Sequence, residues 1–165
     1  MKQLAAQWYS GSLRKEDWPT IAQDALEAGY DNLALSQLAG LTPPEYGDLD
    51  RLIECAIKTL GLPYLSQQEA LIRDSAFLFE TKMAGDSAPY EISAKILKTM
   101  YSRYPWHMPP VLYQIDDCVE MIEKYPEQEA QWNERIRRLA RKFVSDVNAI
   151  EWGALTRTAA EQLVP

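Results

Sequence analysis

Hydrophobic side chains recur every three or four positions along most of the chain. In the clearest run, the apolar positions are separated by 4, 3, 4, 4 and 3 residues. These positions are Trp132, Ile136, Leu139, Phe143, Val147 and Ile150. This spacing places the apolar side chains on one face of an α-helix. No segment alternates apolar and polar residues over the length of a β-strand, so the pattern predicts an all-α fold.

Residues that typically begin and end helices lie between the apolar runs. Residues 66–69 have the Ser-x-x-Glu sequence of a capping box and precede an apolar run. Asp31 and Asp48 are predicted to begin two earlier helices. Gly61 is followed two residues later by Pro63 and is predicted to end the helix that starts at Asp48. Glycine adopts the left-handed conformation of a helix end, and proline cannot continue the helix.

These signals predict a single globular bundle of about seven or eight helices joined by short loops. We expect short helices at 2–10, 17–28 and 31–39, with longer helices following up to residue 150. A single all-helical domain is predicted over residues 1–152. Residues 153–165 are predicted to form a weakly ordered or frayed tail.

Two segments of the chain share an order of features. Residues 8–26 and 79–97 each contain an aromatic helix end, a glycine, an acidic loop with proline, and a helix with similar apolar spacing. One interpretation is that the bundle consists of two related helical halves. The other is that unrelated helical hairpins share these features because they obey the same rules for starting and stopping a helix.

Composition limits the class of protein. The 165 residues carry 24 acidic and 17 basic side chains, a net charge of −7, and 47% of them are hydrophobic. This balance is not that of a disordered chain or a membrane protein, and the acidity is not typical of a nucleic-acid binder.

The N-terminus lacks the apolar run of a signal peptide, so we expect a cytoplasmic protein. Cys55 and Cys118 lie in apolar helical segments and are expected to be buried, reduced thiols.

Few residues have the spacing of a catalytic or metal-binding site. His107 is the only histidine and lies in a proline-rich loop at 104–110. The chain has none of the common nucleophile, phosphate-binding or zinc motifs. The acidic residues within 116–123 fall opposite an apolar stripe, which favours a solvated face over a metal site. We therefore expect a protein that is not an enzyme and has no cofactor or metal.

Charge is distributed unevenly along the chain. Residues 1–80 contain 12 acidic and 6 basic side chains, whereas residues 81–165 contain 12 and 11. In the second half, we expect the basic run at 135–142 to lie near the acidic face of the preceding helix and to compensate it. The excess negative charge of the first half either keeps the surface soluble or attracts a cationic partner.

The acids of the first half are concentrated between residues 24 and 54, beside turn tyrosines that could anchor an interface. The candidate partner-binding residues are Asp24, Glu27, Tyr30, Asp31, Glu45, Tyr46, Asp48, Asp50 and Glu54.

The same region carries a resemblance to a group of known proteins. Residues 24–41 form a helix, Ala-Gly-Tyr-Asp, a short helix and Leu-Ala-Gly-Leu. This block is similar to small all-helical bacterial proteins, mostly uncharacterised, some of which are presumed immunity proteins of toxin or contact-dependent growth inhibition systems. The resemblance also includes Trp18-Pro19, Met83-Ala84-Gly85 and Pro89-Tyr90. It brings no catalytic residues with it.

The resemblance and the acidic window together lead to a functional hypothesis. We expect a non-enzymatic immunity, or antitoxin-like, protein that binds the C-terminal domain of a cognate toxin. A cationic nuclease is one class of toxin that an acidic helical face could neutralise. Neither nucleic acid nor a membrane is expected as a partner. The alternative is a helical adaptor or regulatory protein of unknown partner, which would use an apolar patch around the 104–110 loop with Trp106 and Met108 exposed.

Overall fold

Eight α-helices account for most of the chain in a computed structural model, which describes residues 2–41, 48–83, 88–103 and 108–155. They are α1 (Lys2–Ser10), α2 (Trp18–Glu27), α3 (Leu33–Ala39), α4 (Leu49–Thr59), α5 (Gln67–Met83), α6 (Pro89–Arg103), α7 (Pro110–Lys124) and α8 (Glu129–Ala149). Turns of 3-10 helix at Lys15–Asp17 and Pro126–Gln128 precede α2 and α8. The described ranges contain no β-strand, and the predicted all-α bundle is confirmed.

Helices α5 to α8 share the larger core. Helix α8 packs against α5, α6 and α7, and α6 packs against both α5 and α7. At the centre, Phe79 of α5 and Phe143 of α8 meet edge to face, with ring centroids 6.0 Å apart. All six apolar positions of the run from Trp132 to Ile150 belong to this core or pack against it, as their spacing predicts. No helix in the described ranges has the length and apolar character needed to cross a membrane.

Helices α2, α3 and α4 form a second, smaller core. Helix α3 packs against both α2 and α4. Trp18, at the start of α2, is fully buried and meets the ring of Trp8 edge to face at 5.7 Å. Leu35 and Leu38 of α3 and Ile53 of α4 are also inaccessible to solvent. The first half of the chain therefore has a rigid interior of its own beneath its charged surface.

Helix α1 joins the two cores by packing along α5. The close approach depends on small residues, since Ala5, Ala6 and Ala70 are completely buried together with Leu65. Helix α1 ends at Gly11, whose φ of +74° favours glycine. The guanidinium of Arg103, at the end of α6, donates a hydrogen bond to the carbonyl of Ser10. The end of α1 is thus fixed by the second half of the chain.

Helix starts are partly as predicted. The N–H of Glu69 donates to Ser66 Oγ at 3.1 Å, which is one half of the predicted capping box. Helix α3 does not begin at Asp31 as predicted, because Asn32 is the residue whose Oδ1 accepts from the N–H groups of Ala34 and Leu35. Asp48 precedes α4 as predicted, although its side chain makes no capping hydrogen bond.

Residues 153–155, which are predicted to belong to a frayed tail, contact the bundle. The N–H of Gly153 donates to Glu69 Oε1 at 2.8 Å, and Leu155 is buried in the larger core. These contacts hold residues 153–155 against the bundle. Residues 156–165 lie outside the described residues.

Two residues differ from the prediction in their exposure to solvent. Cys55 is exposed, because it lies on the outer side of α4, whereas Cys118 is buried as predicted. Both are free thiols. Met108, which the adaptor hypothesis required to be exposed, is buried in the larger core. Trp106 and His107 lie outside the described residues.

The predicted relation between two helical halves of the bundle stays a prediction. The first helix of the first half packs mainly on α5 of the second half.

Candidate functional site

The described members of the predicted partner-binding set are all exposed. They are Asp24, Glu27, Tyr30, Asp31, Asp48, Asp50 and Glu54, and we call this set the acidic face. Helix α2 carries the first two, the turn before α3 carries the next two, and Asp50 and Glu54 lie on α4 with Asp48 at its start. Glu45 and Tyr46 lie outside the described residues. The structure therefore places the acidic face on helices that share the smaller core.

Tyr30 is held in place by the way α2 ends. The N–H of Tyr30 donates to the carbonyl of Ala25 at 3.0 Å, and the N–H of Gly29 donates to that of Leu26 at 2.9 Å. This pair of bonds is a Schellman motif, and it needs the positive φ of 90° that Gly29 provides. The Tyr30 ring remains 43% exposed. The turn thus presents an aromatic side chain beside the carboxylates of α2 from a fixed backbone.

Two carboxylates of α4 already have cationic neighbours. Asp50 Oδ2 lies 2.7 Å from Lys15 Nζ, and Asp48 Oδ2 lies 3.5 Å from Arg51 Nη2. All four side chains are at least half exposed, so these pairs add little stability. In the described part of the chain, no ion pair involves Asp24, Glu27, Asp31 or Glu54. These four carboxylates are the part of the acidic face without an ion pair, and Glu54 shares its groove with Arg51 and Lys58.

A groove between α1 and α4 lies beside Glu54. Its volume is about 370 Å³, and its lining includes Tyr9, Tyr64 and, one helical turn on either side of Glu54, the basic residues Arg51 and Lys58. The rings of Tyr9 and Tyr64 meet at 5.1 Å, and Tyr64 is 77% exposed. Burial, and then the negative charge of Glu54, raises the pKa of Tyr9. The sequence hypothesis missed Tyr9, because helical spacing alone does not show which helix α1 faces.

A buried ionic network lies in α5. Glu69 and Arg73 are each 2% exposed, and Arg73 Nε donates to Glu69 Oε1 at 2.7 Å. The two Nη atoms of Arg73 donate to the carbonyls of Val147, Ile150 and Glu151 at 2.8–3.2 Å. These carbonyls lie at the negative end of the α8 dipole, where a cation is favourable.

The network is completed on two sides. The guanidinium of Arg73 lies 4.3 Å from the centre of the Trp152 ring. Asp74, the next residue, accepts hydrogen bonds from Ser10 Oγ at 3.0 Å and from Gln3 Nε2 at 3.2 Å. Because the charged groups are paired within the chain, we interpret the network as a device that fixes α1 and the end of α8 to α5. The signal in the sequence was the pair of charges at 73 and 74 inside an apolar stripe.

The charged helices α7 and α8 pack against each other, as the predicted compensation requires. The ion pairs of α8 lie within that helix, between Glu134 and Arg137 at 3.6 Å and between Lys142 and Asp146 at 2.8 Å. Among the described residues no ion pair joins α7 to α8. Compensation between the two charged faces stays a prediction.

An exposed pair of tyrosines lies on the other side of the larger core. Tyr101 of α6 and Tyr113 of α7 are 53% and 42% exposed. The hydroxyl of Tyr101 donates a hydrogen bond to Asp116. Partial burial and then this hydrogen bond raise the pKa of Tyr101 well above its usual value. The hydrogen bond to Asp116 thus links α6 to α7 at this surface.

The described residues contain no cluster of three or more histidine, cysteine, aspartate or glutamate side chains placed to hold a metal ion. We find no match to the chain among protein-family models, curated proteins or solved structures. The resemblance of residues 24–41 to small all-helical bacterial proteins, some of them presumed immunity proteins, stays a prediction.

Proposed function

We propose that this protein is a non-enzymatic bacterial immunity protein that binds and neutralises a cationic toxin domain through the acidic face. The observation that carries the proposal is the excess negative charge of that face. Residues 15–41 and 48–60 contain eight acidic and three basic side chains. Asp24, Glu27, Asp31 and Glu54 are exposed there without an ion pair among the described residues. A surface of this kind attracts a cationic protein and accelerates its association.

The scaffold beneath the acidic face suits it to binding. The carboxylates of α2 and α4 project from helices whose opposite faces are buried in the smaller core. A surface that is already rigid loses little conformational freedom when a partner docks. Tyr30 adds an exposed aromatic side chain on a fixed turn, and tyrosine is frequently a major contributor to binding energy at interfaces.

The resemblance of residues 24–41 to presumed immunity proteins supports a toxin as the cationic partner. The active cleft of a nuclease toxin binds phosphates and is therefore cationic, so a row of carboxylates could occupy or cover it. The protein would act in the cytoplasm, where such a toxin reaches its substrate. This mechanism needs no bond-making step, since blocking access to the cleft is sufficient.

Co-expression tests the proposal. The protein is produced together with the C-terminal domain of the protein encoded immediately upstream, and bacterial growth is scored. We expect the wild-type chain to restore growth. The variant Asp24→Lys/Glu27→Lys/Glu54→Lys should fail, because it reverses three charges of the acidic face.

The matched control reverses three exposed acids of the second half, Asp117→Lys/Glu120→Lys/Glu127→Lys, with the same change in net charge. It should still restore growth. Rescue that survives reversal of the acidic face, or that both variants lose equally, would contradict the assignment of the binding surface. Growth arrest that the wild-type chain does not relieve would contradict immunity against that protein.

A further inference from the structure

A second groove lies on the opposite half of the molecule, between α5 and α8. Its volume is about 430 Å³. Its apolar lining consists of the partly exposed Met83 and Val144, together with Phe79 and Ala140, which are each only 1% exposed. Cavities of roughly 300–1,000 Å³ with an apolar lining and a few polar groups are typical of small-molecule sites. The groove does not involve the acidic face.

Two arginines stand along the α8 edge of this groove. Arg137 and Arg141 are four residues apart and line the same opening, together with Ser145. Arg137 contacts Glu134 at 3.6 Å, an exposed pair that exchanges readily with solvent. Arg141 forms no ion pair with another described residue. Glu80 on α5 is the one acidic side chain of the lining. The rim is therefore net cationic above an apolar floor.

We propose that the groove binds a small carboxylate with an apolar chain, of the class of medium-chain fatty acids. The chain would lie against Met83 and Val144, the partly exposed apolar side chains of the groove. The carboxylate would lie at the rim, because a guanidinium matches a carboxylate with two parallel hydrogen bonds. Neither half of this arrangement depends on the proposed immunity function.

The size of the groove favours a small molecule over a protein segment. Eight residues line it. A stable protein interface involves roughly 20–30 residues on each side, so a partner chain would need much more surface than the groove offers. Charge complementarity selects the head group, and the apolar floor selects the tail.

Calorimetric titration of the whole chain with hexanoate, octanoate and decanoate tests the proposal, with each ligand kept below its micelle-forming concentration. Each pair of added methylenes should tighten binding about tenfold, because each methylene is transferred from water to the apolar floor. Decanol, which lacks the carboxylate, should bind at least tenfold more weakly than decanoate. Absence of saturable binding, or an affinity independent of chain length, would overturn the proposal.

Variants locate the site. Arg137→Gln/Arg141→Gln should weaken decanoate binding at least tenfold. Arg138→Gln/Lys142→Gln removes the same charge from the same helix outside the groove and should change the affinity less than twofold. Glu80→Gln should strengthen binding by removing the acidic side chain of the rim. Equal weakening by the two double variants would show a general charge effect and would also overturn the proposal.

Discussion

Arg73 satisfies the carbonyl groups at the end of α8, and Glu69, on the same helix, balances its charge. Both side chains are almost completely removed from water. Breaking such a pair is costly mainly because the remaining charge is left buried without a partner. The surface pairs of the acidic face have no comparable effect, since water replaces a lost partner there. We therefore expect stability to depend on a few internal charges, whereas the proposed binding would depend on external ones.

Replacement of Arg73 should reveal this difference. Arg73→Met leaves Glu69 buried and unpaired, and should lower the free energy of unfolding by about 3–5 kcal/mol. Lys142→Met removes an exposed partner of Asp146 and should cost about 1 kcal/mol or less. Urea denaturation of both variants measures the two values. The role given to Arg73 would be wrong if the two substitutions cost the same.

The two thiols should differ in reactivity. Cys55 is exposed, whereas Cys118 is buried, and burial raises the pKa of the Cys118 thiol. At a given pH, a thiol with a raised pKa has a smaller fraction of the reactive thiolate than a thiol with an ordinary pKa. In the native protein at pH 8, a thiol reagent should modify Cys55 rapidly and Cys118 only after unfolding, as mass spectrometry of Cys55→Ser and Cys118→Ser would show. Rapid modification of Cys118 in the folded chain would contradict its described burial.

At the scale of the helices, local signals in the sequence predict the elements well. The apolar stripe of α8 and the Ser66 cap of α5 follow from spacing and from residue type. Contacts between residues far apart in the sequence cannot be predicted from such local signals. Glu69 occupies the last position of a capping-box sequence. Its carboxylate nevertheless accepts hydrogen bonds from Arg73 and from the N–H of Gly153, which lies 84 positions away. No local pattern contains that contact, so the sequence alone does not predict it.

Helix α3 offers a sharp test of local structure, because it has only seven residues. Asn32→Ala removes the side-chain oxygen that accepts from the first turn and should lower stability by about 1 kcal/mol. The neighbouring Asp31→Ala should have little effect on stability, since Asp31 is exposed and does not cap the helix. Thermal unfolding of both variants distinguishes them. A larger loss with Asp31→Ala would place the cap one residue earlier than the structure does.

At the level of the whole molecule, the excess acidic residues of the first half are exposed on the helices of the smaller core. The exposure of the acidic residues was predictable, because they fall opposite the apolar positions of α2 and α4. The pairing of Asp50 with Lys15 was not, since it requires the turn before α2 to lie beside α4. Because Asp50 and Asp48 have cationic neighbours, the carboxylates without an ion pair are those of Asp24, Glu27, Asp31 and Glu54. The groove with Arg137 and Arg141 lies on the other half and gives the molecule a second surface of opposite character.

The rate of association shows whether the acidic face attracts a cationic toxin domain as proposed. Stopped-flow mixing with the C-terminal domain of the protein encoded upstream compares the wild-type chain with Asp24→Lys/Glu27→Lys/Glu54→Lys at low ionic strength. We expect the rate constant of the variant to be at least tenfold lower, and that of the wild type to fall steeply as salt is added, because long-range attraction is screened. An unchanged rate constant in the variant, or a wild-type rate independent of salt, would contradict the account.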